Sequence, residues 1–472
     1  MTPIIGRETE LGEMERRYAN PNIKTLAIWG RRRVGKTALI REFCKDKPHV
    51  LLTAIEDSYQ DSMKSFDMAL NDILGPIGGK SSEHFTDVLK RLNDFKTDGK
   101  RPVIVIDEYT YLCEEDPSTD SYLQIFIDHD LQDTNALLII CGSAIKTMER
   151  IFTDGKGALF RRFIGPMKIE PLSYGTCRRF HPNMSEPDRM RLYSLVGGIP
   201  LYHLIMNGDT VEDCIKDNIL GPYAPLREEA SLIIARELEP ASTNLAILRA
   251  ISDGHTSGKE IAEATHQSRE NCYVNLRNLE TIGIVSPLVP MCGASRKEKV
   301  YRISDSLIRI NEEVLMPFST VVSGPDKNGA YNRISEVIDT FYDLGFVEIC
   351  HQYIREHHTC VEMGTWWGTS DGEPTELDIV ALIGDGQVES HLVCECRFRN
   401  KECGMRELNE LKRKAGSMRN CFNRRYVLFS RSGFTEELEE YASSASDVEL
   451  LTPEDMYKDE RLWRVRGSSN RM

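Results

Sequence analysis

The 472-residue chain has no apolar run long enough to cross a bilayer, because LAIWG, VIVID and LLIICG are each strand-length against the ~20 residues a spanning helix needs. No membrane partner is expected. Positive charge is also short, with 59 Lys+Arg against 73 Asp+Glu and a net charge of −14. That balance argues against a nucleic-acid surface spread over the whole chain. The opening MTPIIGRETELGEM lacks the basic start and apolar stretch of a signal peptide. Thirteen cysteines include no CxxC pair, and the close pair Cys394 and Cys396 is spaced to point to one face of a strand. An odd, scattered set of thiols predicts a reduced, cytoplasmic protein without a zinc site. The length suits about three domains of ~150 residues each.

What is present is concentrated in a few motifs. The apolar stretch Lys24–Trp29 runs into Gly30-Arg31-Arg32-Arg33-Val34-Gly35-Lys36-Thr37 and then into the helical pattern opened by Ala38. This is GxxxxGK[ST] in its strand, loop, helix context. Glycines let the backbone wrap phosphates, Lys36 reaches the β- and γ-phosphates of ATP, and Thr37 can hold Mg²⁺. Downstream, the apolar run Val103–Ile106 ends in Asp107 and Glu108. A fully buried parallel strand reads this way, with Asp107 placed to hold Mg²⁺ through water and Glu108 to polarise the attacking water. A third apolar run, Ala136–Cys141, ends in Gly142-Ser143. Ser143 is placed either to sense the γ-phosphate or to cap the helix that follows.

Taken together, Ile5-Gly-Arg-Glu-Thr-Glu-Leu11, GRRRVGKT, IDEYTYL, CGSAIKTME, Leu159-Phe-Arg-Arg162 with Glu170-Pro-Leu172, and Val196-Gly-Gly-Ile-Pro-Leu-Tyr202 give the first half of the chain its character. In this ordered set the chain resembles the archaeal-type AAA+ ATPases. The resemblance implies an α/β P-loop core over 1–175 and a helical lid over 176–238 that starts near the GGIP turn. It also implies an arginine finger at Arg162, supplied in trans, which requires a homo-oligomer. Arg161 stands where the family usually has glycine.

From Thr243 three short amphipathic patterns follow, with Ser257 and Ser268 as expected N-caps and Glu260 completing a capping box. Ile261, Ala262, Val274, Leu276, Leu279 and Ile282 are the expected core. Two strands around a basic loop come next, so 239–322 reads as a winged helix-turn-helix. Its second helix would offer Ser268, Arg269, Asn271 and Asn275 to DNA, and Arg296, Lys297 and Lys299 of the wing would touch phosphates. The stretch 241–310 carries nine Lys/Arg and seven Asp/Glu, mildly basic in an acidic chain. Packing or protein contact is the alternative use of such a module.

A Gly- and Pro-containing linker, Ser323–Gly329, precedes the last region, 331–472. Asp378 and Glu395 fall on expected adjacent strands with a helical Glu348 ahead of them, a carboxylate pattern that binds Mg²⁺ for phosphodiester cleavage. The arrangement resembles a restriction-endonuclease-like module with its Asp, then Glu-x-Lys signature, except that Arg397 stands at the lysine position. Arginine is a permanently charged fork and cannot act as a compact, titratable ammonium. Residues 391–431 hold eleven Lys/Arg and four Asp/Glu, an expected phosphate-facing surface.

Overall fold

In the computed structural model the described residues are 4–76, 81–97, 99–238, 240–293, 299–385 and 388–458. They form two compact units, Met1–Leu172 with Ile199–Leu201, and Ser173–Gly198 with Tyr202–Met472. Among the described residues no helix is long and apolar enough to cross a membrane.

The first unit is an α/β layer structure. Its strands are β1 (Thr25–Trp29), β2 (His49–Thr53), β3 (Val103–Asp107), β4 (Leu137–Gly142) and β5 (Met167–Lys168), in the order β2-β3-β4-β1-β5. All neighbouring pairs are parallel. Every residue of β3 and β4 is buried, which explains why these strands read as unbroken apolar runs rather than alternating ones. The register sets Trp29 beside Gly142 and Ile106 beside Ile140. Gly30, Asp107 and Ser143 therefore emerge together at the carboxyl edge of the sheet, where open α/β sheets bind ligands.

The second unit begins with helices between Tyr174 and Glu237, followed by helices Ala241–Ser252, Gly258–Ala264 and Arg269–Thr281. An antiparallel pair follows, β6 (Val285–Leu288) with β7 (Val300–Ile303). The expected caps form: Ser257 Oγ accepts the Glu260 N–H at 3.2 Å while the Glu260 carboxylate accepts the Ser257 N–H at 3.0 Å. Ser268 caps the third helix through the Asn271 N–H. One expected core residue is misplaced, since Val274 is 55% exposed, and Cys272 fills the interior instead. The helix turns by ~100° per residue, so a core set by Cys272, Leu276 and Leu279 leaves Val274 facing outward. Arg296 and Lys297 lie outside the described residues.

A 31-residue helix, Lys327–His357, leads into the final sheet. It absorbs the end of the expected linker, because Asp326 accepts the Gly329 N–H and starts the helix there. The sheet comprises β8 (Cys360–Ser370), β9 (Glu373–Asp385), β10 (Val388–Arg397), β11 (Arg424–Ser430) and β12 (Val448–Leu451), ordered β12-β11-β10-β9-β8. The pairs β8–β9 and β9–β10 are antiparallel, and β10–β11 and β11–β12 are parallel. The long helix lies tightly on helix Glu186–Val196: a Cβ on Gly345 would come within 2.0 Å of Ser194 Oγ, so only glycine fits. Apart from Ile199–Leu201, which falls in the first unit, the stretches 176–238, 239–322 and 331–472 lie in one compact unit.

Candidate functional site

The loop after β1 is built for close backbone approach. Gly30 has φ +151° and a Cβ there would sit 2.4 Å from the Ile169 carbonyl oxygen. Gly35 (φ 99°) and Arg33 (φ 67°) occupy the left-handed region, which curls the loop into the start of helix Lys36–Cys44. Lys36 is buried, and its Nζ donates to the carbonyls of Gly30 (2.8 Å) and Arg31 (3.0 Å). Its ammonium therefore lies within the curl of the loop. Arg32 reaches the Tyr111 hydroxyl at 2.6 Å, Arg33 is exposed, and Val34 is fully buried as the loop's anchor.

The acids meet this loop from the neighbouring strands. Thr37 Oγ1 donates to Asp107 Oδ2 at 3.0 Å, so a hydroxyl and a carboxylate converge where a hard, oxygen-preferring cation would sit. Glu108 adopts φ 53°, and its Oε2 accepts from Ser143 Oγ at 2.7 Å. Ser143 does not cap the following helix, whose N-cap is Ala144. Lys36, Thr37, Asp107, Glu108 and Ser143 are thus one cluster.

Arg162 lies apart from that cluster. Its guanidinium forms two bonds to Asp128 (2.9 and 2.6 Å) and one to the Ala158 carbonyl (2.7 Å). Arg161 is exposed, with φ 61°.

Two contributors are invisible in the motif spacing. Buried Arg7 donates to the carbonyls of Val34 (3.0 Å) and Glu170 (2.8 Å), fastening the phosphate loop to the strand end beside it. It belongs to the IGRETEL stretch, whose regularity was the available signal. Tyr111, in the first turn of helix Tyr109–Glu115, holds Arg32.

In the second unit, the register Cys394↔Ile379 carries Asp378 and Glu395 opposite one another one step further along β9 and β10. Glu395 is buried and Asp378 is partly buried. Asp378 Oδ2 accepts the Cys396 N–H at 2.7 Å. Burial pushes both carboxyl groups above their ordinary range, and at Glu395 the charge of Asp378 adds to the effect. Arg397 bonds Glu395, and Lys414 from helix Met405–Gly416 brings its Nζ to 3.6 Å from Glu395 Oε2. That oxygen is buried and has no hydrogen-bond partner, as a cation ligand would be. Lys414 is the site residue that sequence spacing does not single out, because in the chain it is one charge of a basic run. Glu348 is not among the contacts of this pair: it is ion-paired to Arg302 at 2.6 Å. Part of the basic run is neutralised from outside it, by Asp371 on Arg413, Asp447 on Lys412 and Asp343 on Arg399.

A glycine-shaped loop at the carboxyl edge of a parallel sheet, with lysine, hydroxyl and two acids converging on it, defines a P-loop ATPase core. Residues 4–206 match the model of an ATPase domain found predominantly in Archaea. Residues 313–412 match a second model, described as archaeal and bacterial proteins of unknown function. An uncharacterized protein of Methanocaldococcus jannaschii is 25% identical over 389 residues, which is 80% of this chain and 84% of that protein. Among solved structures, the Walker-type ATPase of Pyrococcus abyssi is similar over 66% of this chain and 96% of its own, with 20% identity and TM-score 0.48. The ORC2 protein of Aeropyrum pernix, in ADPNP-ADP complexes, is similar over 72% and 95%, with 12% identity and TM-score 0.44.

Proposed function

We propose that this ATPase is Mg²⁺-dependent and that its nucleotide cycle acts on DNA through the 239–322 module, read as a winged helix, and the 331–472 module, read as nuclease-like. For hydrolysis the supporting observation is the chain of contacts Thr37–Asp107 at 3.0 Å and Glu108–Ser143 at 2.7 Å beside the loop of Lys36. Thr37 and Asp107 are the residues that would hold Mg²⁺, which when bound neutralises developing phosphate charge. Lys36 binds the β- and γ-phosphates. Glu108 orients the attacking water and accepts its proton, and Ser143 keeps that carboxylate aimed. Arg162 serves a neighbouring copy as an arginine finger, which requires exchanging its Asp128 partner for phosphate on assembly. A size measurement with and without a non-hydrolysable ATP analogue tests this: assembly with the analogue is expected, and a chain that stays monomeric removes the role.

For the DNA reading, support comes from the facing carboxylates Asp378 and Glu395, with two cations, Arg397 and Lys414, on Glu395. Duplex DNA titrated against the full chain at two salt concentrations, followed by a Mg²⁺ cleavage assay, is the test. Micromolar or tighter, salt-sensitive binding is expected; absence of binding at low salt overturns the reading.

A second reading has its own support. The ion pairs of Arg397, Arg399, Lys412 and Arg413 consume charge that DNA would need. In that case the ATPase is a nucleotide-dependent switch or scaffold, with the second unit making protein contacts.

A further inference from the structure

Three side chains remote in sequence meet beside the final sheet. Cys292 lies in the turn after β6, His391 on β10, and Cys421 in the loop before β11. Both sulfurs and a nitrogen of the imidazole lie within 4.8 Å of one another. His391 is only 4% exposed, and both cysteines are half-buried free thiols.

Each ligand is held by its own surroundings. The stretch carrying Cys292 is stitched to the sheet, because Pro290 bridges to Thr365 and the Met291 N–H donates to the Thr365 carbonyl at 2.9 Å. Met291 is part of the core cluster with Trp366, Leu377 and Val393, and Cys292 and Cys421 pack against that cluster. His391 Nδ1 lies 3.1 Å from the Phe422 carbonyl and 3.3 Å from the Phe422 N–H, and its ring meets Phe422 edge-on. When Nδ1–H donates to that carbonyl, the Nε2 lone pair is free, as in metal-bound histidines oriented by a backbone acceptor. Two charged groups face the cluster: the Arg424 guanidinium lies against the Cys421 sulfur, and the Glu362 carboxylate acts on Cys292.

We propose that Cys292, His391 and Cys421 bind one zinc ion, which pins the stretch 289–293 to the C-terminal sheet. Two thiolates and an imidazole are a borderline-soft donor set suited to tetrahedral zinc, with water or Glu362 in the fourth position. Charge balances: two thiolates neutralise the dication, and Arg424 offsets Glu362. Binding releases the thiol protons to solvent. The ion closes two long loops, between 292 and 391 and between 391 and 421, and so restricts the unfolded chain most strongly there. Such spacing matches no short zinc pattern, and this explains why the sequence reads as lacking a site. The proposal is independent of both the ATPase and the DNA readings.

The test uses the full chain, loaded with zinc alone, dialysed against a metal-free buffer and measured for zinc by mass spectrometry. About one zinc per chain is expected for the wild type, since a closed thiolate-imidazole site holds zinc tightly. Cys292→Ser, His391→Ala and Cys421→Ser should each fall to background, whereas Cys421→His, which keeps a ligand, should retain the metal. A cooperative urea melt followed by the fluorescence of Trp366 and Trp367 reports that the second unit of each variant is folded. Cobalt in place of zinc should give the visible bands of tetrahedral thiolate coordination. The proposal is overturned if the wild type retains no zinc, if the serine variants hold as much as the wild type, or if peptide mapping finds a Cys292–Cys421 disulfide in zinc-free protein.

Discussion

The two carboxylate sites of this chain are built on opposite plans. Asp107 and Glu108 end a parallel strand, so they project past the sheet into a loop that glycines hold open. Asp378 and Glu395 lie opposite one another on antiparallel strands, within the sheet, Glu395 buried and Asp378 partly so. The first site draws its cation, Lys36, from the end of the loop that follows β1, where helix Lys36–Cys44 starts. The second draws Arg397 from the same strand and Lys414 from a separate helix. In the first site a hydroxyl bonds each acid, Thr37 on Asp107 and Ser143 on Glu108, whereas in the second the two like charges must be offset by cations.

The sharpest way to break this contrast is Lys36→Ala. Loss of the loop's ammonium should weaken ATP binding by about 100-fold or more and abolish turnover, as removal of a buried charge-stabilising donor does. Unchanged ATP affinity in a nucleotide titration would show the site to be misplaced. Next, Glu108→Gln should still bind ATP but hydrolyse it roughly 100-fold more slowly, since a general base contributes about that factor. A kcat within twofold of wild type would remove Glu108 from its role.

The second site is sharpened by Arg397→Lys. If the carboxylate pair handles DNA, a compact ammonium at this position should raise Mg²⁺-dependent cleavage about tenfold, within the range of general acid–base effects. Cleavage that stays at background in both proteins favours the switch reading.

The smallest expected effect concerns the second unit's response to acid. Burial lowers His203 to about 3 and His351 to about 4. His203 is held neutral between His181, at 3.1 Å, and the Gly197 carbonyl, at 2.8 Å. With folded pKa values depressed below the unfolded ~6.5, the unfolded chain binds more protons, and stability falls as pH drops below that value. Between pH 7.5 and 5.5 each histidine should cost about 1 kcal/mol. Urea melts at the two pH values measure this, and His203→Gln should flatten the slope.

Legibility differed between the regions for physical reasons. Gly30 through Thr37 and Asp107–Glu108 were readable because each depends on local spacing: a turn that needs glycine, a strand that must be apolar, acids at its end. The caps Ser257 and Ser268 were readable for the same reason, since their partners lie three residues away. Val274 was misjudged because which face of a short helix turns inward depends on what packs against it, and Cys272 took that place. Glu348 was drawn toward the carboxylate pair by pattern alone, while the fold gave it to Arg302. The +7 balance of 391–431 overstated free charge, because its neutralising acids lie at 343, 371 and 447.

By itself, the sequence determined the glycine loop, the acids at the strand end beside it and the strand-and-helix alphabet of both units, because these follow from backbone sterics and short-range hydrogen bonding. Only the tertiary structure decided that Arg7 fastens the loop, that Lys414 reaches Glu395, and that Cys292, His391 and Cys421 share one corner of the sheet. Those meetings depend on strand register and helix packing between distant segments, and no local spacing encodes them.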